Sequence, residues 1–516
     1  MTGMSEGREI ELKLELDCAD IERFGALAFF GPGARKSVTQ HSIYFDTAKG
    51  DLRKAGYSLR VRRARARFVQ TLKLRDSAGL FNRSEWEWTL PGEEPNLALL
   101  KETPAAEFVK SKKAQARIGP RFTVRIERRT WTIDRAGSEI EIVLDEGEAA
   151  SGARIDPICE VELELRTGDE RSLFGLAREL GAEVPLQLGV RSKAERGYAL
   201  LKPARRKGRS TKAEPLVLTS DMDVAKAFAA IVQACLRHFR LNAPWVEAER
   251  DSGALHQSRV AMRRLRSALT LFGPAVRDSD YERLRQELRW FTDQLGEARN
   301  IDVFAGRLPK RRGGKSAKPE VAVRATLAGA RQVAYDRVVE ALRSPRLRAL
   351  ILDLAEWAET GKWRKTAKAR RPLEAFAHKQ VAKRWKKVSE AGACLRSLEP
   401  EPLHRLRIDI KKLRYATEFL SGLAQTEAEA KRRADFIAAL ALAQDELGAI
   451  NDMETARDLI SRLGFKSRSE QRFAERLAGS AGDPQSHIDA AEPAFARLFE
   501  LSDQGGEEAG GSGLSS

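Results

Sequence analysis

The stretch REIELKLEL (Arg8–Leu16) sets Glu9, Glu11, Lys13 and Glu15 at every second position, with Ile10, Leu12, Leu14 and Leu16 between them. Later segments repeat the arrangement. SLRVRR puts Arg60 and Arg62 in step, TLKLR does the same for Thr71, Lys73 and Arg75, and NRSEWEWTL for Arg83, Glu85 and Glu87. EIEIVLDEGE aligns Glu139, Glu141 and Asp145, and ICEVELELR aligns Glu160, Glu162 and Glu164. Grouped carboxylates call for a cation, and a hard, oxygen-rich site suits Mg2+ or Mn2+. Grouped arginines and lysines suit phosphate, which Arg grips bidentately.

Alternation with a period of two predicts strands, since successive side chains point to opposite faces. Leu59, Val61, Leu72, Leu74, Trp86, Trp88, Val161, Leu163 and Leu165 stand opposite the charged positions. A solvated sheet could carry such charges. Like charges at neighbouring positions along and across strands are nevertheless destabilising without a compensating partner, and many strands repeat the pattern. A sheet closed with its charged face inward would converge acids and bases on one polar cavity, with helices such as ADIERFGALAFF and ERSLFGLAREL covering the apolar outside. No His/Ser/Asp or Cys/His set points to a covalent route, and His41, just before SIYF, reads as a structural or surface histidine.

A chain of 516 residues with 42% apolar residues has room for several packed domains. No run of eighteen apolar residues occurs and MTGMSEGREI lacks the apolar stretch of a signal peptide, so neither a membrane span nor export is expected, and the expected compartment is the cytoplasm. Cys18, Cys159, Cys235 and Cys394 are scattered without CxxC spacing and read as reduced packing residues. The net charge of +17 is unevenly placed: residues 1–202 hold 34 Lys+Arg against 32 Asp+Glu, and residues 203–500 hold 57 against 39. The basic stretch KPARRKGRSTKAEP (Lys202–Pro215) has the composition of a linker. The expected organisation is a first domain over 5–202, a linker over 203–216, a second domain over 217–502 and a disordered Gly/Ser-rich tail over 503–516.

From Leu216 the apolar spacing changes to three and four residues, which predicts helices. This half also repeats itself. Ala254–Phe272 aligns without a gap on Pro402–Leu420, matching His256 with His404, Arg259 with Arg407, Arg263 with Lys411 and Arg266 with Arg414. Downstream, DQLGEARNI (Asp293–Ile301) matches DELGAINDM (Asp445–Met453). Positions i, i+3, i+7 and i+10 fall within about 80° of a helix circumference, so His256, Arg259, Arg263 and Arg266 form one basic stripe. His404, Arg407, Lys411 and Arg414 form another. The loop PKRRGGKSAK (Pro309–Lys318) reads as a linker.

The first half resembles the CYTH, or triphosphate tunnel metalloenzyme, superfamily. It carries the ExExK signature at Glu9, Glu11 and Lys13, followed in order by YFDT (Tyr44–Thr47), LRVR (Leu59–Arg62), TLK (Thr71–Lys73), RSEWE (Arg83–Glu87), RRTW (Arg128–Trp131), LDEGE around Asp145, CEVELEL (Cys159–Leu165) and SKAERGY (Ser192–Tyr198). The second half resembles the CHAD family, often found behind a CYTH domain. The resemblances imply an α+β fold: an eight-stranded antiparallel β-tunnel with flanking helices, followed by an all-α domain of two pseudo-symmetric helical bundles. The first resemblance implies Glu9, Glu11, Asp145, Glu160 and Glu162 as metal-facing acids for Mg2+ or Mn2+. It implies Lys13, Arg60, Arg62, Lys73, Arg83, Arg128 and Lys193 as the phosphate grip, with Arg125 and Arg129 close enough to compete for the place of Arg128. Glu9, Glu11, Lys13, Glu160 and Glu162 carry the catalysis in that scheme, while Glu85 and Glu87 have ion pairs with the arginines as their other option. The second resemblance implies inorganic polyphosphate as the ligand of the two basic stripes.

The function expected from these features is metal-dependent hydrolysis of inorganic triphosphate to pyrophosphate and phosphate, beside a helical domain that binds polyphosphate in the cytoplasm or at polyphosphate granules. An organic triphosphate, either thiamine triphosphate or ATP with cyclase chemistry, is the enzymatic alternative, and a non-catalytic polyphosphate binder is the other. No membrane partner or specific nucleic acid is expected, since the interleaved motifs of RRM, KH or zinc-finger modules are missing. The sequence does not fix the oligomeric state.

Overall fold

The computed structural model describes residues 10–30, 36–74, 84–202, 210–309, 318–480 and 482–510. Two compact units divide the chain: residues 1–207 with 351–360, and residues 208–350 with 361–516.

In the first unit, β1 (Ile10–Glu15), β2 (Lys36–Thr47), β3 (Tyr57–Ala64), β4 (Arg67–Leu74), β5 (Ser84–Leu90), β6 (Ile118–Arg135), β7 (Ser138–Ser151), β8 (Arg154–Thr167) and the two-residue β9 (Gln187–Leu188) form one antiparallel sheet. Their order is β5-β4-β3-β2-β6-β7-β8-β1-β9. The eight long strands carry the expected alternation. On β1, Leu12 and Leu14 are buried opposite Leu163 and Val161 of β8, and the charged residues between them take the other face. Apolar faces pack into cores such as that of Phe45, Leu52, Leu59, Val61, Leu72 and Leu100, where each fully buried large side chain stabilises by roughly 1.5–3 kcal/mol. ERSLFGLAREL forms the amphipathic helix expected of it, whereas ADIERFGALAFF makes a five-residue helix between two 3-10 turns. The helices of this unit are the short α1 (Ile21–Gly25), α2 (Asp51–Lys54) and α3 (Lys112–Gln115), then α4 (Arg171–Glu183) and α5 (Lys193–Leu200). Two glycines permit close approach. A Cβ on Gly147 would lie 2.0 Å from the Arg125 carbonyl oxygen across the β6/β7 ladder, and one on Gly197 of α5 would lie 2.0 Å from the Phe122 ring.

The reading of all four cysteines as reduced is corrected: Cys18 and Cys159 form a disulfide, 141 residues apart, with Cα atoms separated by 5.3 Å. The cause is register. Antiparallel pairing sets Glu15 against Glu160, so the chain leaving β1 passes beside Cys159, and Leu16 N donates to the Cys159 carbonyl at 3.2 Å. CxxC spacing reports local pairs and is blind to a pair made by strand pairing. Cys235 and Cys394 are free thiols.

The second unit contains α6 (Val224–Glu249), α7 (Ser252–Val276), α8 (Tyr281–Gln294), α9 (Gly296–Gly306), α10 (Lys318–Arg343), the start of α11 (Pro345–Thr360), and the five helices that follow it. The later helices are α12 (Leu373–Gly392), α13 (Pro400–Phe419), α14 (Glu427–Leu463), α15 (Arg468–Gly479) and α16 (Pro484–Gly510). The aligned basic segments occupy α7 and α13. Helix starts follow the sequence: Asp223 and Asp251 cap α6 and α7 through the amides of Lys226 and Ala254, interactions worth about 1 kcal/mol each. One core joins α12, α13, α14 and α16 through Val388, Leu406, Ile410, Leu440, Leu447 and Phe495.

Two features differ from the sequence reading. Part of the expected linker is strapped along α6: Thr211 donates to Asn242 Oδ1 at 2.8 Å, its carbonyl accepts from Asn242 Nδ2 at 2.9 Å, and Glu214 pairs with Arg237 at 3.1 Å. The buried Asn242 amide needs such partners. Likewise, α16 continues through Asp503 to Gly510, over the start of the stretch expected to be disordered. Residues 310–317 of the basic loop lie outside the described residues.

Candidate metal and phosphate sites

Strand register assembles the first site. Lys13 faces Glu162 and Glu15 faces Glu160 across β1/β8; Asp145 faces Glu160 across β7/β8, and Arg128 faces Asp145 across β6/β7. Four adjacent strands therefore deliver their charges to one face. Ligand oxygens of Asp145, Glu160 and Glu162 all lie within 4.8 Å of one another, and Asp145 and Glu160 are wholly inaccessible to solvent. Buried carboxylates this close cannot stay ionised alone, because desolvation and mutual repulsion both oppose charge.

Cations answer them. Arg128 grips Asp145 bidentately, Nε and Nη2 donating to its two carboxylate oxygens at 2.8 and 2.6 Å, and Nη2 also reaches Glu162 at 3.1 Å. Lys13 Nζ contacts Glu160 at 3.0 Å and also bonds Glu162, with Glu11 3.7 Å away. Lys193 Nζ touches all three acids: Asp145 at 2.7 Å, Glu162 at 3.0 Å, and Glu160. Lys193 starts α5, where Ser192 and Glu195 complete a reciprocal capping box that fixes the backbone. Burial pushes both ammoniums toward neutrality, but the carboxylates outweigh it and raise Lys13 and, more strongly, Lys193. Burial likewise opposes charge on Glu162, and Lys13, Lys193 and Arg128 overcome it to hold its carboxyl well below the ordinary range. Glu160 Oε2 is buried with no hydrogen-bond partner. An oxygen-only donor set with an unpartnered carboxylate oxygen fits a hard divalent cation.

The same sheet face continues into a basic region. Ser58 pairs with Lys73, Arg60 with Thr71, and Thr71 and Lys73 with Glu87 and Glu85 in register. Lys73 Nζ lies 2.6 Å from Glu85, Arg60 3.9 Å from Glu85 and Arg62 3.6 Å from Glu87, so these two glutamates sit in ion pairs. Burial, and then the neighbouring charge of Arg60, pulls Arg62 down to about 10. That region favours an added anion.

In the helical unit, α7 and α13 bring their stripes together. Arg263 Nε donates to the Tyr415 hydroxyl at 2.7 Å and Arg264 pairs with Glu418 at 3.0 Å. Burial, reinforced by Arg407, Arg263, Arg259 and Arg266, lowers Lys411 to about 7. Burial also lowers His256 to about 4, aided by Arg299, Arg263 and Arg259, and Arg259 to about 10, aided by Arg263 and Arg299. Arg407 donates to Asn451 Oδ1 at 2.9 Å while its buried Nε has no partner. Such mutual depression means the cations repel one another and lack enough counter-charge within the protein.

A sheet face that runs from an acid trio to paired arginines, followed by a duplicated basic helix, has a counterpart in known families. The CYTH domain model matches residues 7–198 and the CHAD domain model residues 230–461. The chain is a CYTH domain followed by a CHAD domain. The CYTH part is similar to an inorganic triphosphatase of Haemophilus influenzae, 31% identical over 197 residues, which is 37% of this chain and 55% of that protein. The chain thus spans about half the length of this curated relative. Among solved structures, the CHAD domain of the plant Ricinus communis is 29% identical, covering 55% of this chain and 96% of its own, with a TM-score of 0.49. HpAC1 of Hippeastrum, which has a dominant triphosphatase activity, is 22% identical over 37% of this chain and 95% of its own, with a TM-score of 0.30.

Within the CYTH domain, Lys13, Arg128, Asp145, Glu160, Glu162 and Lys193 converge, and Arg60, Arg62 and Lys73 share their sheet face. Glu11 borders the cluster through Lys13 without joining the acid trio. Glu9 and Arg83 lie outside the described residues. The competition around Arg128 resolves by parity. Arg125 and Arg129 project to the other face, where Arg129 pairs with Glu22 and Glu146 at 2.7 Å each. Sequence reasoning gave no role to Tyr44, which is buried opposite Arg60 on the charged face; its place in YFDT was the available signal. Within the CHAD domain, His256, Arg259, Arg263, Arg266, Arg407 and Lys411 are electrostatically coupled. His404 is half-buried on α13, and Arg414 pairs with Glu418 at 3.4 Å. Arg299 was missed. It occupies the repeat position matched by Asn451, and each reaches the basic stripe of its own repeat copy, Arg299 toward Arg263 and Asn451 to Arg407.

Proposed function

We propose that the CYTH domain hydrolyses inorganic triphosphate to pyrophosphate and phosphate with Mg2+ or Mn2+, and that the CHAD domain binds inorganic polyphosphate. The observation that carries the first part is the shared sheet face, on which the trio Asp145, Glu160 and Glu162 adjoins Arg128, with Arg60, Arg62 and Lys73 on the strands beyond β2. A bound divalent cation supplies Lewis-acid polarisation and charge neutralisation. Asp145, Glu160 and Glu162 would hold it, with Glu9 and Glu11 as the further acids of the ExExK signature. Arg60, Arg62, Lys73 and Arg128, together with Arg83, neutralise a triphosphate that would otherwise repel its nucleophile. The deciding experiment measures phosphate release from tripolyphosphate, ATP, thiamine triphosphate and long-chain polyphosphate, each with Mg2+, Mn2+ or EDTA. Tripolyphosphate should be cleaved fastest and EDTA should abolish cleavage; preference for an organic triphosphate, or cyclic AMP from ATP, would replace the inorganic reading.

The phosphate grip has its own signature. Arg60→Ala and Lys73→Ala should each raise KM for tripolyphosphate about tenfold or more and lower kcat as well, since each removes a cation that meets both ground state and transition state. Unchanged constants in both variants would return these residues to a purely structural pairing with Glu85.

Polyphosphate binding should depend on pH through Lys411. Its ammonium is depressed to about 7 in the free protein, with Arg407, Arg263, Arg259 and Arg266 as the cations facing it, and an incoming polyanion restores its charge. Binding then takes up a proton above pH 7. Affinity should be flat below that value and fall as pH rises from 7 to 9, by up to about tenfold per unit for one fully coupled proton. Titrations at constant ionic strength test this, and Lys411→Met should remove the slope.

A further inference from the structure

Lys193 holds the place that a cation shared by the three acids would take. Its Nζ reaches Asp145 Oδ2 at 2.7 Å and Glu162 Oε1 at 3.0 Å, and also bonds Glu160 Oε1. Lys13 differs: its ammonium contacts Glu11, Glu160 and Glu162. With Arg128 counted, three formal positive charges occupy the oxygens of the three carboxylates, and Glu11 borders them 3.7 Å from Lys13. A divalent cation that binds these oxygens competes with the cations already on them, because crowding positive charges in a low-dielectric site is disfavoured. One resident cation must leave, and the geometry shows which. Arg128 is fixed by a bidentate grip on Asp145. Lys13 lies mid-strand with its stem packed against Gly189, where a Cβ would come within 2.7 Å of Lys13 Cγ. Lys193 stands at the first turn of α5, its backbone held by the capping box and its helix seated on Phe122 through Gly197. Its flexible four-carbon stem can swing while the helix stays.

We propose that Lys193 is a resident counter-ion of the metal site: the divalent cation enters by displacing its ammonium, and the released ammonium becomes available to the triphosphate. The inference rests on the divalent-cation reading of this site. It couples the two ligands, since cation loading frees a positive group for phosphate, and phosphate in turn keeps that group off the carboxylates. By linkage each ligand then strengthens the other.

The test is calorimetric titration of the full chain with Mn2+ alone, without triphosphate. Lys193→Met keeps the stem and removes the charge, so Mn2+ should bind it about tenfold or more tightly than the wild type, a usual size for coupling at a shared site. Lys13→Met should change Mn2+ affinity less. Lys193→Arg retains charge on a fork that grips carboxylates better, so it should bind Mn2+ more weakly than the wild type. It also serves as the reading if Lys193→Met does not fold without metal. A folded Lys193→Met protein with Mn2+ affinity equal to or below the wild type, or Lys193→Arg with unchanged affinity, overturns the proposal. Loss of triphosphate cleavage by every protein in the series, with the Mn2+ order intact, would overturn the proposed reaction and leave the counter-ion role standing.

Discussion

Glu160→Gln should lower metal-dependent tripolyphosphate cleavage by roughly 10²–10³-fold at subsaturating metal, the range seen when a first-contact electrostatic group is removed. Glu160 is solvent-inaccessible, lies within the acid trio and carries the unpartnered Oε2. The amide keeps its shape and one acceptor oxygen while removing a charge, leaving two acids against Lys13, Lys193 and Arg128. Divalent cations should then bind poorly, and excess Mn2+ should restore part of the rate. The fold should survive, because the apolar ladder of Leu12, Leu14, Val161 and Leu163 is untouched. Glu9→Gln should act in the same direction. Glu87→Gln is the contrast, since Glu87 accepts from Thr71 and pairs with Arg62; its effect should be several-fold at most. Wild-type rates from Glu160→Gln at limiting metal would remove it from the site.

Joint replacement of Arg263 and Lys411 by Ala should weaken long-chain polyphosphate binding about 100-fold or more, since two charge-assisted contacts worth roughly 1.5–3 kcal/mol each are lost. Replacing Lys310 and Lys315 of the Pro309–Lys318 loop removes the same formal charge and should weaken it only a few-fold. Arg263 and Lys411 come from the two repeat copies and share one cluster, so their loss breaks both halves of the proposed site. Affinity should fall steeply with salt in the wild type, by the counterion release known for nucleic acids, and less steeply in the Arg263/Lys411 variant. Thermal melting checks that loss of the Arg263 to Tyr415 hydrogen bond has not unfolded the domain. Equal losses from the two double variants would mean that charge acts diffusely.

Much of this protein is written in periodicity. Alternation in REIELKLEL, CEVELEL and TLKLR places their charges on one face before any fold is known, because a strand leaves a side chain only two directions. The gapless repeat of Ala254–Phe272 in Pro402–Leu420 likewise places its basic stripes, because helical geometry fixes which positions share a ridge.

What the sequence could not decide was every relation made by partners distant along the chain. Parity rejects Arg125 and Arg129, but only if one knows which face of β6 is charged, and the pairing of Arg128 with Asp145 sets that face. The Cys18–Cys159 bond depends on β1 meeting β8 in one register out of several. Arg299 joins the basic cluster because α9 brings it near Arg263, although the matched position in the other copy is Asn451. Lys193 reaches three acids from a helix whose sequence, SKAERGY, announces a capping box and nothing of Asp145, Glu160 or Glu162. Local geometry determines which way a side chain points, and only long-range pairing determines what it meets.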